Sequence, residues 1–179
     1  MRIREAMRQF CTQTKVWTEK ILVDSVEDQA AYDVEPSEDA YIGEINSVKT
    51  RTSDSVEFDS TTAIDPTRYN LNSNALGITF RSGYEPSASV TNGIQVDVVL
   101  VPTIEAEEFS GALLDRYSYP IYSLVKHKLM MTPKTSYTNP QLAQYWGTEY
   151  DRFRADAVKD RYTEHKNQVV IMEQRGGLL

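Results

Sequence analysis

The apolar residues of this chain repeat with one period in its middle and with another at both ends. Between Lys15 and Val101 the sequence is rich in Thr, Val, Ile, Tyr and Asp with Gly, Pro and Asn punctuation, a pattern of strands and turns. In "GIQVDVVLVP" Ile94, Val96, Val98 and Leu100 alternate with Gln95 and Asp97, and Val99 and Val101 then make the end of the run apolar on both faces. "KILVDSV", "AYIGEINSVKT" and "GITFRS" are its expected partners. The polar stretch "DSVEFDSTTAIDPTRYNLNSN" reads as a long excursion at the lobe's edge, with room for an extra hairpin.

On either side the spacing is helical. Ile3, Ala6, Met7 and Phe10 predict a short amphipathic helix over about 2–12, too short to stand unless it docks. Leu113, Tyr117, Ile121, Leu124 and Met131 predict a longer one over about 107–131, with Glu105, Glu107 and Glu108 at its positive end. Pro120 removes a backbone hydrogen bond there, so a kink or break is expected near Tyr119. In "NPQLAQYWGTEYDRFRADAVKDR", Asn139 suits a cap and Pro140 the first helical position, where a missing N–H costs nothing. Leu142, Trp146, Tyr150, Phe153 and Ala157 then form an apolar stripe, while Asp151, Arg152, Arg154, Asp156 and Asp160 fall elsewhere. Arg152 and Asp156 are spaced to pair across one turn. This helix is expected to reach about Glu164 and to pack antiparallel on its predecessor, its stripe facing the core of a two- or three-helix bundle.

The fold class is therefore α+β. A helical bundle, made of an N-terminal helix and two long C-terminal helices, carries an inserted antiparallel β lobe over about 15–101. Residues 1–168 form one domain, and an extended C-terminal arm follows over 169–179. In that arm Val169, Val170, Ile171 and Met172 are consecutive apolar residues, Gly176 and Gly177 form a joint, and Leu178 and Leu179 follow. An extended apolar segment has to be covered, either by its own sheet or by a neighbouring chain.

Charge and chemistry narrow the function by exclusion. With 19 basic and 26 acidic residues, a formal charge of −7, affinity founded on gripping nucleic-acid phosphates is disfavoured. The one cysteine, Cys11, leaves no intrachain disulfide framework, and fits a reducing compartment as a small apolar residue. No stretch has the ~18 apolar residues of a membrane helix, and "MRIREAMRQF" lacks the apolar core of a signal peptide. An unprocessed product made in the cytoplasm, with no membrane partner, is expected. Neither His127 nor His165 has a second ligand at metal spacing, and no nucleotide-binding or hydrolase motif is present. No metal, cofactor or catalytic residue is expected. Asp54 with Asp59, or Glu107 with Glu108, are better read as solvated charge than as acid–base pairs.

The order of segments carries a resemblance. "EAMRQFCTQTKVW", with its Phe10, Cys11, Thr14 and Trp17, is followed by a β-rich middle, by "VDVVLVPTIEAEEF", by "LLDRYSYPIYSLVKHKLMMTP" and by "SYTNPQLAQYWGTEYDRFRADAVKDR". Together they resemble the head-to-tail adaptor (connector) proteins of tailed double-stranded DNA bacteriophages, over all but residues 50–75. The resemblance implies a structural virion protein at the capsid–tail junction, with no enzymatic activity. Its copies, typically twelve, would form a ring bound beneath the portal, with a tail or nozzle protein on the other side. Packaged double-stranded DNA would pass through the ring at ejection without sequence-specific binding. It further implies that Val169, Val170, Ile171, Met172, Arg175, Gly176, Gly177, Leu178 and Leu179 belong to a portal-binding arm, and that the helix from Asn139 lines or supports the ring. Net acidity suits such a channel, because a like-charged wall lets the duplex slide. The alternative, left open by the residues, is a small α+β enzyme or ligand-binding domain.

Overall fold

The computed structural model describes residues 3–36, 39–59, 62–71, 77–106 and 111–175, apart from the side chains at 112 and 164–175. In chain order the elements are α1 (Ile3–Thr14), β1 (Thr18–Ser25), β2 (Ala31–Asp33), β3 (Ala40–Thr50), β4 (Tyr69–Leu71), β5 (Gly77–Phe80), β6 (Val90–Pro102), α2 (Gly111–Met131) and α3 (Pro140–Arg175). The chain is α+β and falls into two compact units. Trp17–Val101 is a β unit, and residues 1–16 with 102–179 form a helical unit, so the β unit is an insertion between α1 and α2.

The β unit contains two three-stranded antiparallel sheets, ordered β1-β6-β3 and β2-β5-β4. Alternation along β6 decides which residues enter the core between the sheets: Ile94, Val96, Val98 and Leu100 join Ile42 and Val48 of β3 and pack against Tyr32, Tyr69, Ile78 and Phe80 of the second sheet. Tyr32 and Phe80 meet edge to face at 5.9 Å, and Trp17, Ile21 and Val23 close the margin. The opposite face of β6 carries Asp97, whose carboxylate accepts hydrogen bonds from Ser47 Oγ (2.6 Å) and Gln95 Nε2 (2.8 Å) and lies 3.7 Å from Lys49 Nζ.

The β1–β6 ladder is broken by a bulge, with Val23 opposite Ile94 but Ser25 opposite Val90. Ser25 Oγ occupies the space where a Cβ on Gly93 would stand, 2.1 Å away, so only glycine fits at Gly93. Asn92 takes a positive φ of 51°, and its N–H donates to Asp24 Oδ1 at 2.7 Å. Arg51 then ties the start of the long excursion to this bulge, donating to the carbonyls of Thr91 (2.8 Å) and Asn92 (3.2 Å) and pairing with Asp54 (3.1 Å). Asp59 accepts a hydrogen bond from the N–H of Thr62. Both acids of the first nominated acid–base pair are thus engaged in loop structure. The excursion continues through an isolated bridge between Lys49 and Ala63 and a short turn of helix at Pro66–Arg68, then joins the second sheet as β4.

In the helical unit α1 buries Ala6, Met7, Phe10, Cys11 and Thr14. Phe10 stacks between Tyr117 of α2 (5.3 Å) and Tyr150 of α3 (6.5 Å), which makes it the joint of the three helices. Two expected boundaries differ. Tyr117 has non-helical angles (φ −120°, ψ 17°), so the kink expected near Tyr119 is present and centred two residues earlier, a turn before the proline. The physical reason is that a proline ring collides with the carbonyl four residues back, here that of Arg116. The second difference is the length of α3, which continues past Glu164 to Arg175. No glycine or proline interrupts 148–175, so nothing halts the helix where its stripe ends. The backbone of 169–175 is accordingly helical, where an extended arm was expected. Residues 176–179, and Glu107 and Glu108, lie outside the described residues.

Candidate functional site

Helix α3 starts as its cap requires. Asn139 Oδ1 accepts the N–H of Leu142 at 3.1 Å, and the Asn139 carbonyl accepts that of Ala143 at 2.9 Å. The preceding loop is pinned by hydroxyls: Thr138 and Thr135 both donate to the carbonyl of Thr132, at 2.6 Å and 3.2 Å. Such a start fixes the rotation of α3, and with it the side chains that face α2.

Those side chains are Ala143, Tyr150 and Ala157, seven residues apart and buried. Of the five residues expected on the stripe, Tyr150 and Ala157 are buried, Trp146 and Phe153 half-buried, and Leu142 is 46% exposed. Leu142 is therefore not core within this chain; its neighbour Ala143 is. The cause is close helix approach. Nδ1 of His127 on α2 lies 2.8 Å from the Ala143 carbonyl, which can only accept, so Nδ1 carries the proton. A Cβ on Gly147 would stand 2.9 Å from that same nitrogen, so glycine admits the ring between the helices. A leucine on this seam would not fit where Ala143 sits. His127 is thus a packing residue, and the side chain of His165 lies outside the described residues.

From His127–Ala143 the contacts climb the antiparallel pair. Tyr122 meets Trp146 at 6.2 Å, Tyr119 meets Phe153 at 4.7 Å, and Arg116 pairs with Asp160 at 3.5 Å. Lys126 Nζ lies 4.0 Å from the Trp146 ring centre and 4.3 Å from that of Tyr122, a cation held against two aromatic faces. Tyr145 abuts Trp146 edge to face at 5.1 Å. Yet Tyr119 (44%), Tyr122 (52%) and Tyr145 (53%) remain exposed, as does Leu142 beside them. One face of the hairpin is thus an aromatic surface open to solvent, the composition of an interface centre. Sequence spacing assigned Trp146 and Phe153 to it in part. It missed Tyr119, Tyr122, Tyr145 and Lys126, although Tyr119, Tyr122 and Lys126, at spacings of three and four, mark one helical face.

The charged face of α3 is neutralised along its own length. Arg152 pairs with Glu149 (2.9 Å) instead of the expected Asp156, Arg154 with Asp151 (3.2 Å), and Lys159 with Asp156 (3.6 Å). Each acid lies three residues before its base, a favourable order in the helix field. Charge is also divided between the units: the β unit has 15 acidic and 5 basic residues, net −10, and the helical unit 11 and 14, net +3.

Burial perturbs two titratable groups in the helical core. It pushes the Cys11 thiol up to about 12, and the Tyr150 phenol up to about 12 as well, with Arg154 opposing and Asp151 adding to the second shift. The Tyr150 hydroxyl donates to Gln13 Oε1. Neither group ionises near neutrality, so both act through packing and hydrogen bonding.

Among the described residues no cluster of His, Cys, Asp or Glu could hold a metal ion, and no helix is long and apolar enough to cross a membrane. Of the expected arm, Val169, Val170, Ile171, Met172 and Arg175 lie on the α3 backbone with side chains outside the described residues, and Gly176, Gly177, Leu178 and Leu179 lie outside them altogether. No protein-family model and no curated protein sequence matches the chain.

Proposed function

We propose that this chain is a structural virion protein, a head-to-tail adaptor whose copies form a ring between portal and tail. The observation that carries the reading is the open aromatic face of the α2–α3 hairpin, Tyr119, Tyr122, Tyr145 and Trp146 around Lys126. Aromatic side chains fixed by neighbours yet left in water are what protein interfaces select, since they desolvate much area at little cost in conformational entropy. Chain order supports the same reading: an N-terminal helix, an inserted β unit and a helical hairpin follow one another as in the adaptors that the sequence resembles.

The charge division refines how DNA would be handled. A channel wall made of the net −10 β unit would repel the duplex, whereas one made of α3 would present Arg152, Arg154 and Lys159, each matched to an acid one turn before it. Either wall gives few phosphate contacts and little sequence preference, which suits passage over capture. The segment from Val169 onward is the portal-engaging part. As far as Arg175 its backbone is carried on α3, whose 36 residues span about 54 Å at 1.5 Å each, a length that would bring it to a partner well beyond the seam.

Sedimentation with portal particles tests the proposal. The purified chain is expected to co-sediment with portal and to appear on it as a ring in electron micrographs. A chain that stays at the top of the gradient at every ratio of the two proteins rules the reading out.

A further inference from the structure

β1 is the end strand of its sheet, and its exposed edge has a definite phase. The N–H of Leu100 donates to the carbonyl of Trp17 at 2.7 Å, so Trp17 turns its backbone toward β6. In an antiparallel ladder alternate residues face the same neighbour, which assigns Glu19, Ile21 and Val23 to β6 as well. Thr18, Lys20 and Leu22 therefore direct their N–H and C=O groups away from β6, and among the described residues no strand lies on that side. The side chains of Thr18, Lys20, Leu22 and Asp24 are exposed, Leu22 by 49%. No proline or bulge blunts the edge from Thr18 to Val23, and it closes only at Val26, whose N–H and C=O are both taken by the Tyr32 hydroxyl, at 3.1 Å and 2.9 Å.

An open edge of this kind recruits another strand unless a charge forbids it, and Lys20 is the charge that would do so. Asp24, however, stands four residues on, and Leu22 lies midway. We propose that β1 pairs antiparallel with β1 of a second copy, in the register that sets Leu22 opposite Leu22. Lys20 of each copy then faces Asp24 of the other, twice by symmetry, and Thr18, Lys20, Leu22 and Asp24 present the same outward phase. Sliding by two residues sets Lys20 against Leu22 or Val26. Sliding by four sets Lys20 on Lys20, or Asp24 on Asp24. One register alone is complementary in charge.

The carboxylate is available for this pairing. Asp24 accepts the Asn92 N–H through Oδ1, which leaves Oδ2 for the ammonium of the second copy. Asp97, opposite Lys20 within the chain, is already engaged by Ser47, Gln95 and Lys49. The product is one continuous sheet ordered β3-β6-β1-β1-β6-β3 across two copies. So short a contact lies below the ~1,200 Å² of a stable interface, so the pair is weak and concentration-dependent. A two-fold contact cannot propagate round a ring. The pair is therefore a state of the free chain, and it does not rest on the adaptor reading.

Sedimentation velocity of the full chain over a concentration series, with site-directed crosslinking, tests the register. Wild type is expected to shift from monomer to dimer as concentration rises. Lys20→Glu should weaken that dimer about tenfold by facing Asp24 with a like charge. Leu22→Pro should abolish it, since the lost N–H is one that β6 does not use. Under oxidation Leu22→Cys should yield a covalent dimer, while Lys20→Cys should not, its two thiols standing about 14 Å apart in this register. A wild type monomeric at every concentration, a dimer indifferent to Lys20→Glu and Leu22→Pro, or equal crosslinking from both cysteine variants would overturn the proposal.

Discussion

The β unit packs large side chains between two sheets, whereas the helical unit leaves a cluster of aromatic rings in water. In the β unit the large side chains Tyr32, Tyr69, Ile78 and Phe80 are all buried, and even the irregular segments are fastened by Arg51, Ser25 and Asp65 to nearby backbone. In the helical unit the core is a narrow seam through Phe10, Tyr117 and Tyr150, and a second aromatic set, Tyr119, Tyr122, Tyr145 and Trp146, packs mainly on itself. Their charges differ in the same sense, −10 against +3. The difference teaches where to look for an aromatic interface: stability resides in the seam and the sheets, and the clustered exposed rings reside on the hairpin.

The largest effect is expected where the seam is thinnest. Phe10→Ala removes the joint of three helices and should cost the helical unit about 3–5 kcal/mol. Hydrogen exchange should accelerate over 111–157 far more than along 90–101; equal acceleration in both would show that the units do not differ as described. Alkaline pH should act on the same seam. Cys11 and Tyr150 hold their protons up to about 12 when folded, above the ordinary thiol and phenol values, so the folded state binds more protons than the unfolded one in that range. Stability is then fully present below pH 9 and declines as pH rises toward 12, by about 1.4 kcal/mol per pH unit for each such group. Thermal melts followed by helical circular dichroism at pH 8 and pH 11 would measure it, and a flat profile would contradict it. In the folded chain at pH 8, Cys11 should resist alkylation until denaturant is added.

Asn139→Ala should cost about 1 kcal/mol through the lost cap, seen as a small drop in melting temperature. The smallest change in stability, within about 0.5 kcal/mol, is expected for Tyr122→Ala or Tyr145→Ala, because both rings are largely in water. Under the proposed adaptor function those two variants should nevertheless fail to close a ring on portal, although the segment from Val169 onward is intact. A binding loss without a stability loss is what separates the open face from the seam.

Much of this was legible in the sequence, and the exceptions have physical causes. Four strands, β1, β3, β5 and β6, could be read to within a few residues, since alternation in "IQVDVVL" is a direct image of the pleat, but the three-residue strands β2 and β4 are too short to show a period. The start of α3 was equally plain from Asn139 and Pro140, because a cap is local chemistry. The stripe was not, for it depends on interhelical distance. Leu142 looks like core by size, but Gly147 and His127 bring the helices so close that Ala143 takes the place. The far end of α3 lies beyond the expected Glu164, in a stretch that holds neither glycine nor proline to mark an end. The expected C-terminal arm fared similarly in one respect: apolar β-branched residues from Val169 suggested an extended segment, yet the uninterrupted helix carries their backbone on to Arg175.

The insertion of the β unit between α1 and α2 has a consequence for biosynthesis. Trp17–Val101 is one unbroken run, so it can complete its two sheets as soon as it leaves the ribosome. α1 is made first, yet it must wait for Tyr117 and Tyr150 before Phe10 has anything to rest on. At roughly 5–20 residues per second that delay lasts on the order of 10 seconds. During it a short helix, marginal by itself, carries Met7, Phe10 and Cys11 uncovered.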